Sequence, residues 1–193
     1  FKHLLTFFLF FLSSIFFYKI TFERFKNNFY SIIFTFFYLS SPRIFAESFY
    51  NSKDIVFMSL TVCALYFALK SFFNFNYKNL FFFSLFAALA TNVRIMGIFV
   101  FGLFFVFLLL SCLEEKYFFK KNIEKIIFSS FSFLILTYSF WPFLWNSPIT
   151  NFIFTLKSFA NFEWSGNGIL YLGKYFKGSN LPWHYIPIWI IVT

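Results

Sequence analysis

Long apolar runs separated by short polar loops constrain this chain more than any other feature. The runs cover residues 4–18, 29–41, 55–73, 80–113 and 126–145, and a last run starts at Trp183. A helix that crosses a bilayer needs about 20 apolar residues, and roughly 17–25 is the useful range. With 60% hydrophobic residues and 41 Phe, the chain has more apolar surface than a soluble domain of this size can bury. The sequence therefore predicts an all-α, polytopic bundle of transmembrane helices.

The distribution of charge favours a membrane, and not nucleic acid, as the partner. The net charge is +9, but the 16 Lys and Arg residues stand in short clusters between apolar runs, whereas a nucleic-acid-binding surface concentrates them on one face. Cys63 and Cys112 lie far apart, in or beside apolar runs, and indicate neither a disulfide framework nor a metal site. The chain starts at Phe1 and ends inside an apolar run. We therefore expect a fragment of a longer protein, with residues 1–193 forming a single domain.

Residues 80–113 are too long for one crossing and too short for two full crossings with a turn. At about 1.5 Å per residue a single helix would reach about 51 Å, against a hydrocarbon core of about 30 Å. The polar insert TNVR (91–94) divides the run into a short half, 80–90, and a full half, 95–113. A backbone break at membrane depth needs protein or a water-filled cavity around it. We expect a short helix, a break beside a cavity, and a returning span.

The loops predict an orientation if residues 80–90 count as one crossing. Loops 19–28, 70–79 and 114–125 then share one side, which is rich in Lys and Arg and is expected to be cytoplasmic. Loops 42–54, 91–94 and 146–182 share the outer side. The segment PITNFIFTLKSFANF, near the start of the long outer loop, is expected to form a helix in the membrane interface.

The stretch SPRIFAESFYNSKD at residues 41–54 contains the first candidate site. In a continuous helix, the spacing of Arg43, Glu47, Asn51 and Asp54 would put all four on one face. Such a polar stripe at a membrane surface suits a charged or sugar-bearing substrate, and a carboxylate there could act as a base or a metal ligand. A structural explanation fits equally well. Asn51 would then cap the helix that starts near Ile55, with Asp54 in its first turn, and Arg43 and Glu47 would form a surface pair.

Three further polar residues have both a functional and a structural interpretation. Arg94, at the break, could hold a phosphate or could extend its side chain to the interface. His184, beside Trp183 and Tyr185, could be an acid–base group, a metal ligand, a phosphate partner or an interfacial hydrogen-bonding residue. Glu163 could be a catalytic carboxylate, but it is expected to be solvated or to order its loop. Glu114, Glu115 and Glu124 fall among lysines and indicate a solvated charge cluster.

Three segments together resemble a known family. They are SPRIFAESFYNSKDIVFMSLTVCALYFALK, ATNVRIMGIFVF and WPFLWNSPITNFIFTLKSFANFEWSGNGILYLGKYFKGSNLPWHYIPIWIIVT. They are similar to bacterial members of the dolichyl-phosphate-mannose-protein mannosyltransferase-like family, the C-type multi-span membrane glycosyltransferases. The resemblance implies transfer of a sugar from a polyprenyl-phosphate donor to a lipid, glycan or protein acceptor. It also implies a site facing the periplasm across a bacterial inner membrane, and a divalent metal in some members.

The resemblance also suggests residue roles. The family carries an acidic pair in its first outer loop, which would lie before Phe1, so this fragment is expected to be inactive alone. A second acidic position before a span matches Asp54, in KDIVFMSL. We therefore expect Asp54 as the catalytic base or metal-binding carboxylate, with Glu47 shaping the site. The expected donor-phosphate partners are Arg43, Lys53 and Arg94, with His184 at the edge of the site.

Two other functions fit the same pattern. A transporter or lipid flippase also needs broken helices and intramembrane charge, but places its polar residues along a path near mid-membrane. A non-catalytic membrane subunit of a larger complex would need no acidic group at all.

Overall fold

The computed structural model describes residues 2–114, 118–161 and 168–192, and these residues are 80% helical. Contacts divide it into two compact units, Phe1–Phe152 and Ile153–Thr193. The first unit contains seven helices among its described residues: α1 (Lys2–Phe25), α2 (Asn28–Ser40), α3 (Pro42–Glu47), α4 (Asp54–Phe73), α5 (Tyr77–Val93), α6 (Gly97–Glu114) and α7 (Phe118–Phe140). Helix α8 (Pro148–Ala160) starts in the first unit. The second unit adds β1 (Ile169–Tyr171), β2 (Lys174–Phe176) and α9 (Tyr185–Val192).

Three stretches of helix among the described residues are long and apolar enough to cross a membrane. They are Lys2–Phe25, Asp54–Phe73 and Lys121–Phe140. At about 1.5 Å per residue, the 20 residues of α4 reach about 30 Å, the thickness of a hydrocarbon core. Two further apolar helical stretches, Asn28–Ser40 and Gly97–Ser111, are shorter.

Pro42 separates α2 from α3. A proline disfavours helical torsion angles at the residue before it, and Ser41 accordingly has φ −54° and ψ 115°. Pro42 itself occupies the first turn of α3, where its missing N–H costs nothing. The chain therefore changes direction at Ser41, and α3 carries Arg43 and Glu47 away from the apolar run of α2.

Residues 80–113 form a helical hairpin whose break differs from the expected one. Helix α5 starts at Tyr77 and continues through Thr91 and Asn92 to Val93, so its 17 residues are not a short half. Thr91 stays helical because its hydroxyl donates to the carbonyl of Ala87, at 2.8 Å. The break lies at residues 94–96. The expected break at 91–94 was therefore placed too early, although Arg94 does end the helix.

The core of the first unit forms where α5 packs against α4, α6 and α7. Ala87 and Ala88 of α5 are fully buried, and small residues let helix backbones approach closely. Phe83 lies 4.3 Å from Phe104 of α6, measured between ring centroids. The hydroxyl of Ser84 hydrogen-bonds to Ser129 of α7 across the same interface, at 2.9 Å. These contacts fix the position of α5, and hence of Arg94 at its end.

Contacts between helices define two ends of the first unit. At one end, the carbonyl of Phe75, between α4 and α5, accepts a hydrogen bond from Lys125 Nζ of α7, at 2.8 Å. At the other end, the beginning of α4 meets the end of α5 through Asp54 and Arg94. The α4–α5 turn and the polar stretch before α4 lie at opposite ends of α4, and the expected sides of the loops stay a prediction.

The second unit contains two strands that the all-α expectation missed. Strands β1 and β2 pair antiparallel, with Ile169 opposite Phe176 and Tyr171 opposite Lys174. Leu172 (φ 49°) and Gly173 (φ 78°) form the turn between them, and positive φ at both central positions is typical of a tight hairpin turn. The expected helix in PITNFIFTLKSFANF is present as α8, Pro148–Ala160.

Candidate functional site

Asn51 joins the two carboxylates of the predicted polar stripe. Its side-chain Nδ2 donates to Glu47 Oε2 and to Asp54 Oδ2, each at 2.9 Å. Its Oδ1 accepts from the backbone N–H groups of Lys53, at 3.2 Å, and Asp54, at 3.0 Å. One amide group therefore both starts α4 and holds Glu47 and Asp54 together.

The arrangement combines the two sequence interpretations and corrects one of them. Asn51 lies outside both α3 and α4, so the continuous helical stripe is wrong. A turn replaces it, in which the backbone N–H of Asn51 donates to the carbonyl of Glu47 at 2.8 Å. The capping interpretation is nearer the structure, because Asn51 Oδ1 accepts the N–H of Lys53, the residue just before α4, and that of Asp54, the first residue of α4. The side chains of the expected stripe nevertheless form one connected group.

Arg94 completes this group from a distant part of the chain. Its Nη2 forms an ion pair with Asp54 Oδ1, while Arg43 Nε donates to Glu47 Oε1 at 3.1 Å. We refer to Arg43, Glu47, Asn51, Asp54 and Arg94 as the Asp54 cluster. Each of its four carboxylate oxygens accepts from a nitrogen donor.

The Asp54 cluster is accessible and close to electrically neutral. The side chains of Asp54 and Arg94 are 50% and 42% exposed, and that of Glu47 is 21% exposed. Two arginines offset two carboxylates, and the exposed Lys53 beside them adds a positive charge. Exposed ion pairs contribute only about 0–1 kcal/mol to stability in water. The cluster is thus open to a ligand and does little to hold the fold together.

The Asp54 cluster can support proton transfer and anion binding. An exposed carboxylate held by hydrogen bonds can accept a proton from a substrate hydroxyl. Arg94 has five N–H donors, and its pairing with Asp54 uses Nη2. The remaining donors suit bidentate binding of a phosphate. A carboxylate and a guanidinium with these chemical capacities therefore lie side by side.

A divalent metal would need a change at this cluster. Among the residues that the structure describes, no three His, Cys, Asp or Glu side chains form a group that could hold a metal ion. Glu47 and Asp54 could supply carboxylate oxygens, which Mg²⁺ and Ca²⁺ prefer. Their oxygens accept from Arg43, Asn51 and Arg94, so a metal would have to replace or share these donors. Asp54 as a metal ligand stays a prediction.

His184 belongs to the second unit and has its contacts there. Its Nδ1 hydrogen-bonds to the hydroxyl of Tyr171, at 2.5 Å, and the Trp183 ring lies 5.6 Å from the imidazole centroid. Tyr171 is on the hairpin and only 8% exposed, so His184 ties the hairpin to the start of α9. The sequence signal for this partner was weak, because only Gly173 in ILYLGKYF is a usual turn residue and Leu172 is not. A role of His184 towards the donor stays a prediction.

Two buried polar side chains near the α5–α6 break are not explained by the fold. Among the described residues, neither Oδ1 nor Nδ2 of Asn92 has a hydrogen-bond partner, and the same holds for Oγ1 of Thr137. Thr137 lines a cavity of about 350 Å³, together with Thr91, Tyr138 and apolar side chains of α6, α7 and α8. A cavity was expected beside the break, and one lies at this end of α5.

Glu163 and Glu115 lie outside the described residues, as does the side chain of Glu114. Comparisons with protein-family models, with curated proteins and with solved structures found no match for this chain. The functional conclusion therefore depends on the Asp54 cluster itself.

Proposed function

We propose that the chain belongs to a membrane glycosyltransferase. It transfers a sugar from a polyprenyl-phosphate donor to a lipid, glycan or protein acceptor. The helices cross a bacterial inner membrane several times, and the Asp54 cluster faces the periplasm. The proposal includes membership of the mannosyltransferase-like family that the sequence resembles.

The observation that carries this proposal is the pairing of Asp54 with Arg94. The two residues come from different elements, the start of α4 and the end of α5, and both side chains are about half exposed. Sugar transfer from a lipid phosphate needs a base for the acceptor and a cation for the leaving phosphate. The pair provides both at the end of an apolar helix long enough to cross a membrane.

In the proposed reaction, the acceptor hydroxyl oxygen attacks the anomeric carbon of the sugar. Its proton passes to the Asp54 carboxylate as the new C–O bond forms. The bond between the anomeric carbon and the phosphate oxygen breaks, and the lipid phosphate leaves with the electron pair. Arg94 stabilises the negative charge that develops on this phosphate. Asn51 holds Asp54 in place, and Lys53 and Arg43 add positive charge around the donor.

The proposal is tested by Asp54→Ala in the full-length protein, with sugar transfer from a labelled polyprenyl-phosphate donor as the readout. General-base groups contribute roughly 10²–10⁴-fold to rate, so transfer should fall by at least about 100-fold. Glu124→Gln is the matched control, because Glu124 is an exposed carboxylate on α7 outside the Asp54 cluster. Undiminished transfer by Asp54→Ala would reject Asp54 as the base.

A transporter or lipid flippase is the second candidate, and the α5–α6 break favours it. Asn92 and Thr137 place unpartnered polar atoms inside apolar helices, and buried polar groups in membrane helices often mark a substrate path. This candidate predicts lipid or solute flux in vesicles without glycosyl transfer. It also predicts that Asn92→Leu reduces flux more than Asp54→Ala does.

A further inference from the structure

A second concentration of charge lies at the opposite end of α4 from the Asp54 cluster. Lys70 is in the last turn of α4, and Arg24 is in the last turn of α1. The Phe16 and Tyr66 rings lie 5.3 Å apart, so α1 and α4 are packed together in this region. Between the two helices is a cavity of about 330 Å³, lined by Ile20, Glu23, Arg24, Tyr66, Leu69 and Phe73.

Two lysines converge on one aromatic wall of this cavity. Lys19 Nζ lies 5.7 Å from the centre of the Tyr66 ring, and Lys70 Nζ lies 5.5 Å from it. Lys70 Nζ is also 3.4 Å from the Tyr66 hydroxyl. Cations at such distances are attracted to the ring face. Tyr66 is 7% exposed, and Lys19 Nζ also lies 5.5 Å from the centre of the Phe16 ring. The two ammonium groups therefore lie beside this aromatic wall, at what we call the rim of the cavity.

The charge at the rim is unbalanced. Lys19, Arg24 and Lys70 contribute three positive charges, and Glu23 contributes one negative charge. None of these three cations lies within 4.0 Å of a carboxylate oxygen of any residue that the structure describes. Part of this charge offsets the negative ends of the α1 and α4 dipoles. Lys19 is not in the last turn of α1, so the helix dipole does not account for its position beside the Tyr66 ring.

The rest of the cavity lining is apolar. Ile20, Leu69 and Phe73 contribute it, and Leu69 and Phe73 are 43% and 77% exposed. A ligand here needs an anionic group for the rim and a hydrocarbon chain for these apolar side chains. Basic pockets between membrane helices bind anionic lipid head groups in this way.

We propose that the cavity between α1 and α4 binds an anionic phospholipid. The lipid phosphate lies among Lys19, Arg24 and Lys70, and the first part of an acyl chain lies against Leu69 and Phe73. In the proposed orientation this is a lipid of the cytoplasmic leaflet, remote from the site of sugar transfer. The site does not depend on the proposed enzyme activity, because its residues take no part in the Asp54 cluster.

The test measures binding of phosphatidylglycerol and phosphatidylcholine to the detergent-purified full-length protein by native mass spectrometry. We expect phosphatidylglycerol to bind more tightly than phosphatidylcholine. An excess of inorganic phosphate should not displace it, because its acyl chain also contributes to binding. Each of Lys19→Gln, Arg24→Gln and Lys70→Gln should weaken binding roughly fivefold, from about 1 kcal/mol per basic residue. Lys78→Gln, an exposed lysine in the first turn of α5 outside the cavity, is the matched control and should have no effect.

A second variant protects the test against loss of folding. Leu69→Trp keeps all the charges but fills the apolar part of the cavity. Because Leu69 is 43% exposed, the fold can accept the larger side chain. It should weaken phosphatidylglycerol binding as well. Equal binding of the two lipids, unchanged binding in both the charge and Leu69→Trp variants, or full displacement by inorganic phosphate would overturn the proposal.

Discussion

At the scale of single residues, Asn51 connects the start of a helix to the candidate chemistry. Its Oδ1 accepts the N–H groups of Lys53 and Asp54, and its Nδ2 reaches both carboxylates. A side chain with this many partners cannot be replaced by one of the same size without losing either the donor or the acceptor. Asn51 therefore positions Asp54 and does not itself react.

Replacing Asn51 with alanine should separate its two roles. Loss of the cap should destabilise the protein by about 1 kcal/mol, and loss of the amide bridge should reduce sugar transfer because Asp54 is no longer held. Asn27→Ala is the matched control, since Asn27 caps α2 by accepting from Phe29 N at 2.8 Å, without touching a carboxylate. We expect similar thermal destabilisation in both variants, measured by scanning calorimetry, and reduced transfer only in Asn51→Ala. Equal transfer by the two variants would contradict a positioning role for Asn51.

Local spacing predicted four of the five residues of the Asp54 cluster. Arg43 and Glu47 are four residues apart, and Asn51 with Asp54 matches a capping pattern, so both could be inferred from adjacent letters. The pairing of Asp54 with Arg94 could not be inferred in this way. It depends on how the α5–α6 hairpin packs against α4, and no local periodicity encodes that packing. The only signal was the expectation that an arginine at a membrane break needs a partner.

At the scale of elements, Gly97 determines how closely α6 returns along α5. A Cβ built at Gly97 would lie 2.6 Å from the backbone carbonyl carbon of Ala90 and 2.7 Å from Cα of Thr91. The three nearest atoms all belong to the backbone, so no flexible side chain could move aside to make room for the Cβ. The first turn of α6 can therefore occupy this position only with glycine, and the position of Arg94, three residues earlier, depends on it.

Gly97→Ala should consequently destabilise the hairpin. Overpacking of this kind typically costs about 1–3 kcal/mol, and the shift should also move Arg94 relative to Asp54. Gly102→Ala on the same helix is the control, because a Cβ there would have no atom within 4 Å. Thermal unfolding in detergent should show a lower melting temperature for Gly97→Ala and little change for Gly102→Ala. Equal melting temperatures would contradict the close approach.

Hydrophobic runs predicted where helices form but not where they begin and end. Helix α5 extends through Thr91, whose hydroxyl donates to the carbonyl of Ala87 in the same helix, and through Asn92, whose side-chain polar atoms have no partner among the described residues. The hairpin of β1 and β2 was missed because each strand has only three residues and lies in a loop of mixed composition. Gly173, in its turn, was the only visible signal.

At the scale of the whole molecule, the proposed topology places the two ends of α4 on opposite sides of a membrane. Ser52 precedes the helix, next to the Asp54 cluster, and Asn74 ends it. In a background with Cys63→Ala and Cys112→Ala, single cysteines at these two positions report their sides. A membrane-impermeant maleimide should label Ser52→Cys from the periplasm and Asn74→Cys only after the inner membrane is permeabilised. Labelling of both from the same side would contradict the proposed crossing.

The most direct test of the central claim is sugar transfer by the charge-swapped variant Asp54→Arg/Arg94→Asp in the full-length protein. If the pair only stabilises the structure, exchanging the two charges restores both the ion pair and function. If Asp54 is the base and Arg94 binds phosphate, the exchange keeps an ion pair between α4 and α5 but does not restore the transfer. We predict transfer no higher than in Asp54→Ala, in a variant whose melting temperature stays close to that of the unmodified protein. Transfer near the unmodified level in the swapped variant would contradict the claim.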